Sequence, residues 1–434
     1  MTIDSAPGDS APGESDLRGL QGRVVDGRYA LREWIGGGGF GAVFRAEQYI
    51  LGHPVRSVAC KLSRRSGLTE ENAAELFQDV LLLAEAMDSM TDAEARRHLV
   101  HVYDGGLAQG LGGRAFLAME YVPGATLAGE FASMGRVPAT LMVKWARQIC
   151  VALRGLHRLN PPLLHRDLKP DNVLLGSDNW VRLIDFGLAA RMLELGHAPG
   201  TVGTLQYMAP ETAAGSSVPE SDLYSLGLLM YEGLTGRHAY AHLTPPPTLP
   251  DAAHGDWLQE QKRNAPPLRP SAHNNLVPPA LDALVMRCLE PRPAQRYRSA
   301  EELITALDTV LDQPVVRQPG EAGLEEGRRL RAQRQWAPAA AALRRALARG
   351  DLADPLRLAL LIEIGQVHES GGDQLAAAHS WADACELVRG RALMPSAQDR
   401  ARLARRAEDA FRKAGNRFQA ERFARQARAE RDRG

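Results

Sequence analysis

The stretch His165-Arg166-Asp167-Leu168-Lys169-Pro170-Asp171-Asn172, followed by Asp185-Phe186-Gly187 and then Ala209-Pro210-Glu211, decides how this chain is read. It gathers two aspartates, a lysine and an asparagine within a few residues and places a further aspartate two residues before a glycine downstream. Working outward, Ile35-Gly36-Gly37-Gly38-Gly39-Phe40-Gly41-Ala42-Val43 fits G-x-G-x-x-G-x-V between two strand-like runs. Glycines there let backbone N–H groups come close to phosphate oxygens. Taken alone, four successive glycines read equally well as a flexible turn. Val58-Ala59-Cys60-Lys61 then puts a lysine on a third strand, within reach of α- and β-phosphates beneath such a loop, although a strand lysine by itself is a solvated surface group. Order and spacing along the chain, more than any one motif, carry the signal.

Together these motifs resemble the eukaryotic-type serine/threonine protein kinases, including their bacterial members, over residues 28–314. The resemblance implies an α+β, bilobal protein kinase fold, with a small antiparallel-sheet lobe over about 28–120 and a larger helical lobe over 121–314. It implies a serine/threonine protein kinase that uses ATP and Mg²⁺ and takes protein substrates. Asp167 would accept or orient the proton of the attacking hydroxyl, and Lys169 would stabilise charge on the transferring phosphoryl group. Asp185 and Asn172 supply the hard oxygen ligands that Mg²⁺ prefers. By similarity the nucleotide site comprises Ile35, Gly36, Gly37, Gly38, Gly39, Phe40, Gly41 and Lys61, with Val43 and Ala59 above the adenine and Leu174 below it. Backbone groups of Glu120 and Val122 would read the adenine edge, with Met119 as gatekeeper. The plain reading of those apolar residues is core packing.

In that family a helix acid pairs with the strand lysine. Glu70–Met87 places Ala74, Phe77, Leu81 and Ala84 at helical spacing, with Thr69 as N-cap, and Asp79 falls where the acid is expected. Aspartate is one methylene short, and Glu75, one turn earlier on the same face, is the alternative. A weak pairing of Lys61 is where a nucleotide-binding pseudokinase, acting as a scaffold through its helical repeats, becomes the competing reading. Arg166 before Asp167 suggests a basic pocket for a phosphate on the activation segment, with Thr201 as the phosphosite. Thr204 occupies a structural position; Glu211 and Arg296 match a buried ion pair, and Asp222 the acid that holds the catalytic loop. The proline-rich stretch His242–Pro270 departs from the family's compact form.

Composition agrees with an ordinary soluble enzyme: 44% hydrophobic, 24% charged, and Lys+Arg equal to Asp+Glu at 52 each. No global field draws the chain to nucleic acid, and no apolar run is long enough to span a bilayer. Four cysteines lie far apart without a CxxC pair and read as buried reduced thiols, in keeping with a cytoplasmic protein. Residues 1–22, rich in Ala, Pro and Gly, read as a disordered tail. Past Pro314 the chain becomes alanine- and arginine-rich, with breaks at Ala337-Pro338, Gly371-Gly372 and Gly415-Asn416. Residues 320–434 are therefore expected to form an all-α domain of tetratricopeptide-like hairpins, or else a helical extension packed on the large lobe. Their arginine-rich face, from Arg400 onward, would suit an acidic segment of a cytoplasmic protein partner.

Overall fold

The computed structural model describes residues 17–37, 41–185, 202–212, 215–246, 248–250, 253–312, 320–389, 393–394 and 397–432. It divides into two compact units. The first comprises residues 1–91, 99–123 and 185–201. Its described part is built on a six-stranded sheet in the order β1-β2-β3-β4-β6-β5. The strands are β1 (Val24–Val25), β2 (Tyr29–Gly37), β3 (Gly41–Ile50), β4 (His53–Ser63), β5 (Val102–Ala108) and β6 (Arg114–Glu120), and every neighbour pair is antiparallel. Alternation explains the sheet: Phe44, Ala46, Val58, Cys60 and Leu62 point to one face and are buried, while Arg45 and Ser57 point away. Leu17 is fully buried in this core and Leu20 packs against it, so the chain is already ordered before residue 22, where the sequence suggests a disordered tail.

Two helices follow β4, where a single one is expected. Helix α1 (Glu70–Leu76) ends at Phe77 and α2 (Gln78–Ser89) begins there, because Phe77, at φ −102° and ψ 11°, leaves the helical region. Glu75 and Asp79 therefore do not share one continuous helix face. Thr69 does cap α1, accepting a hydrogen bond from the Asn72 N–H at 3.2 Å. The buried stripe is Ala73, Phe77, Val80, Leu83 and Met87; the expected Ala74 and Leu81 face outward, Leu81 being 49% exposed. Leu81, Leu82 and Leu83 are apolar in sequence, so the pattern alone does not single out one face.

The second unit comprises residues 92–98, 124–184 and 202–434. After α3 (Ala93–Arg96) it forms a small antiparallel sheet of β7 (Gly124–Thr126), β8 (Val173–Gly176) and β9 (Val181–Leu183). Around it lie α4 (Leu127–Met134), the long α5 (Ala139–His157), α6 (Val202–Tyr207) and α7 (Pro219–Thr235). Helices α8 (His254–Asn264), α9 (Pro279–Cys288) and α10 (Ala300–Asp312) complete the large lobe. Helix α7 is buried along nearly its whole length, which fits an apolar run with few charged positions.

The C-terminal region is three helical hairpins: α11 (Glu321–Ala332) with α12 (Trp336–Leu347), α13 (Asp354–Ser370) with α14 (Gln374–Val388), and α15 (Ala397–Lys413) with α16 (Arg417–Arg431). Small residues set the crossings: Gly327 lies against Leu343, and Gly365 against the Trp381 ring. The same hairpins also pack on the large lobe. Thr140 donates to Glu321 at 3.1 Å and Lys144 pairs with Glu325 at 2.6 Å. Arg328 lies between Glu130 of α4 (3.4 Å) and Glu363 of α13 (2.9 Å), and Arg331 reaches Glu363 at 2.5 Å. Arg328, Glu130 and Glu363 are all buried, and burial pushes the Glu130 carboxyl pKa up against the pull of Arg328. The region is thus built of helical hairpins that also pack against the large lobe.

Candidate active site

The loop that carries Asp167 begins as a segment with no ladder to satisfy its backbone, and a buried carboxylate takes over that task. Asp222, on α7, accepts the N–H groups of His165 and Arg166, both at 3.0 Å, and a hydrogen bond from His157 Nε2 at 2.8 Å. Burial works to raise the Asp222 pKa, but the bond from His157 and its charge, with the His165 N–H, outweigh it and hold the carboxyl below its usual range. Arg166 adopts φ 60°, an uncommon conformation for a side-chain-bearing residue, and the Asp222 anchor offsets its cost.

This anchoring presents Asp167. Its carboxylate accepts from Lys169 Nζ at 3.0 and 3.1 Å and from Asn172 Nδ2 at 2.8 Å, and Asn172 Nδ2 also donates to the Asp167 carbonyl at 2.8 Å. Pro170–Asn172 is one turn of 3₁₀ helix, which folds Asn172 back onto Asp167, and the Asn172 carbonyl is tied to the Ile184 N–H at 3.0 Å. Three of the residues singled out by the sequence are thus in direct contact. Two more meet in the first unit, where Lys61 Nζ pairs with Asp185 Oδ1 at 2.6 Å. Lys61 is buried, and Asp185, like Arg166, has φ 60°.

Strand register positions Lys61 opposite Val43 on one side and Leu117 on the other. Gly36 pairs with Val43 and Gly37 with Ala42, so the described part of the glycine segment is a hairpin arm; Gly38, Gly39 and Phe40 lie outside the described residues. A Cβ on Gly41 would collide with the Leu62 carbonyl, so this position needs glycine for the close approach of two backbones. Ile35 is exposed, Val43 and Ala59 are half-buried, and Met119 and Val122 are buried. The Glu120 N–H donates to the His101 carbonyl at 2.8 Å. In the second unit Leu174 is half-buried on β8, opposite Thr126.

Of the helix acids, Asp79 lies on α2 with its side chain outside the described residues, and Glu75 is exposed on α1. Thr201, Phe186 and Gly187 also lie outside the described residues, as does the side chain of Thr204 on α6. The ion pair expected of Glu211 and Arg296 is bidentate, at 2.6 and 2.9 Å. Arg296 is 1% exposed and also donates to the carbonyls of Glu220, Glu290 and Pro291. Burial alone would raise the Glu211 pKa; Arg296 and the Ser221 hydroxyl bring it below its ordinary value.

Sequence reasoning passed over Lys262 and Gln259, which the structure buries against the segment leading to Ala209-Pro210-Glu211. Nothing in the polar run Gln259-Glu260-Gln261-Lys262-Arg263 announces this, since lysine on a hydrophilic helix reads as solvated.

Residues 29–306 match the protein kinase domain family. Serine/threonine-protein kinase A of Synechocystis is 33% identical over 302 residues, covering 66% of this chain and 54% of that protein. Serine/threonine-protein kinase PknB of Mycolicibacterium smegmatis is 33% identical over 284 residues, covering 64% of this chain and 42% of that protein. The crystal structure of the Mycobacterium tuberculosis PknI kinase domain aligns with a TM-score of 0.47 at 24% identity, over 67% of this chain and 97% of that one. The chain spans about half, or less, of the length of the curated relatives it matches. With its motif residues in order and a matched region that runs from the first long strand into α10, the chain belongs to the protein kinase family.

Proposed function

We propose that the chain is a serine/threonine protein kinase that transfers the γ-phosphoryl group of ATP to serine or threonine hydroxyls of proteins. The observation that carries this reading is the Asp167–Lys169–Asn172 contact set, held from behind by Asp222. The acceptor oxygen forms a bond to the γ-phosphorus as the bond to the ADP oxygen breaks, and the hydroxyl proton passes to the Asp167 carboxylate. Lys169, already beside that carboxylate, stabilises charge on the moving phosphoryl group, and Lys61 positions the α- and β-phosphates. Each residue by its own chemistry fits Mg²⁺: the Asn172 amide nitrogen is committed to Asp167, which leaves its Oδ1 as an oxygen donor, and Asp185 is a carboxylate. When bound there, the ion would supply positive charge to offset that of the phosphates.

The test is to incubate the protein with Mg²⁺ and ATP beside an Asp167→Asn variant and map phosphate by mass spectrometry. The wild type should gain phosphate, on Thr201 or a neighbour, with the variant slower by about 10²-fold or more. If neither gains phosphate while ATP still binds, the reading falls and the pseudokinase alternative takes its place. Four buried free cysteines support placing the protein in the cytoplasm.

The helical region supports a second role, as the seat of a protein partner. Between α15 and α16 lies an open cavity of about 690 Å³, floored by Ala420 and Ala427. Its rim carries Arg405, Arg412, Arg417, Arg428 and Arg431 against only two glutamates. In the hairpins before it, α12 is covered by α13 and α14 by α15, so the outer side of α16 is where a further helix would pack, and the charge there suits an acidic one. A labelled amphipathic helical peptide rich in Glu and Leu should bind, and Arg417→Glu with Arg428→Glu should weaken it about tenfold or more. Equal binding of a Lys-for-Glu counterpart would refute the role.

A further inference from the structure

The four carbonyls of Leu205, Gln206, Tyr207 and Met208 lie where α6 ends, a place where a helix leaves its last acceptors without intrahelical partners. All four are taken by side chains. Lys262 Nζ donates to Leu205 at 3.0 Å, Gln206 at 2.7 Å and Met208 at 2.8 Å. Gln259 Nε2 donates to Leu205 at 2.9 Å, and Ser225 of α7 donates to Tyr207 at 2.8 Å. Arg263 reaches the Pro210 carbonyl at 3.3 Å. Three side chains of one helix, α8, therefore grip one stretch of backbone.

Lys262 is completely buried. Burial draws its pKa well below the ordinary lysine range, but an ammonium has three protons and three carbonyls meet it. A neutral amine has only two protons and would turn its lone pair toward the third oxygen, so the geometry is that of the charged form. The ring of Tyr240 lies 5.9 Å from the ammonium, and cation–π attraction adds to its support.

What is gripped borders the reacting groups on two sides. Met208 and Ala209 line a crevice with Leu164 and Arg166, and Tyr207 shares a cavity of about 200 Å³ with Pro170 and Asp171. Asp167 and Lys169 lie in the chain between those neighbours. The 207–209 backbone therefore lies beside the loop that carries Asp167, the residue an acceptor hydroxyl would have to reach. Helix α8 lies within the proline-rich stretch that departs from the family's compact form.

We propose that Lys262, aided by Gln259, is a positioning residue for the phosphoryl acceptor, fixing the 205–208 backbone as the platform on which the substrate peptide lies. This rests on the kinase reading above. Its test uses the full chain, a degenerate serine/threonine peptide library as acceptor, and the variants Lys262→Met, Lys262→Arg and Gln259→Ala. In Lys262→Met the KM for the preferred library peptide should rise about tenfold or more, with the KM for ATP within about twofold of wild type. Lys262→Arg, which keeps a charged multiple donor, should recover part of that loss. Hydrogen exchange should show the 205–208 amides losing protection in Lys262→Met. A folded Lys262→Met with an unchanged peptide KM, or with both KM values moving together, overturns the proposal. If that variant does not fold, an unchanged peptide KM in Gln259→Ala and Lys262→Arg overturns it just as well. If wild type phosphorylates no peptide, it is the kinase reading that fails, and the grip itself is still scored by exchange at 205–208.

Discussion

His238 shows how far a single side chain can be moved from its ordinary chemistry. Its ring stacks edge-on to Tyr207 at 5.1 Å, its Nδ1 accepts the Tyr240 N–H at 3.2 Å, and burial, with the nearby Lys262 ammonium, lowers its pKa to about 3. A histidine whose folded pKa is depressed contributes stability that is present above its unfolded pKa, ~6.5, and is lost as pH falls from there toward about 3. His238→Asn keeps an acceptor for Tyr240 but cannot titrate. Urea unfolding between pH 6.5 and 4 should show a slope shallower by up to one proton, roughly 1.4 kcal/mol per pH unit. Residues of this kind were not legible in the sequence, whereas Asp167, Lys169, Asn172, Asp222, Glu211 and Arg296 were. Those six stand in stretches whose residue types and order along the chain single them out. The burial of His238 and Lys262 is decided by where the proline-rich stretch lays α8, a tertiary outcome with no local signal.

At the level of elements, strands were easier to read than helix faces. Alternation in β3 and β4 leaves one choice of buried side, and Phe44, Cys60 and Leu62 took it. Helix α2 offered three consecutive leucines, and the one turned to the core, Leu83, differs from the one suggested by spacing. The break at Phe77 was also invisible, since neither glycine nor proline marks it. Helix ends with a steric reason are sharper. Gly135, which closes α4 at φ 69° and ψ −51°, holds a conformation that side-chain-bearing residues avoid, and a Cβ there would collide with the Leu393 carbonyl. Gly135→Ala should cost about 1–3 kcal/mol in chemical denaturation, through both backbone strain and displacement of the 393–394 segment from α4. An unchanged midpoint would mean that this contact contributes nothing to stability.

For the molecule as a whole, the boundary near residue 314 in sequence is not a boundary in packing within the second unit. The docking residues Glu130, Thr140, Lys144 and Arg328 are polar and read as solvent-facing, so the sequence could suggest hairpins but not their attachment. Arg328→Ala leaves Glu130 buried without that cation and should cost about 3–5 kcal/mol. Because the pair joins α4 to the hairpins, Trp145 fluorescence in the lobe and Trp381 fluorescence in the repeats should change at one denaturant concentration, read in single-tryptophan variants. Two separate transitions would show that the regions unfold independently. Helix α4 has a further consequence. One side of it meets Arg328, α13 and α15, and another meets the Pro170–Asn172 turn. It is thus a partition one helix thick, about 10 Å, between the repeats and the asparagine that braces Asp167. A load on the arginine-lined hairpin would reach that partition through α15, so the helical region could act as a lever arm with its fulcrum beside the loop that carries Asp167.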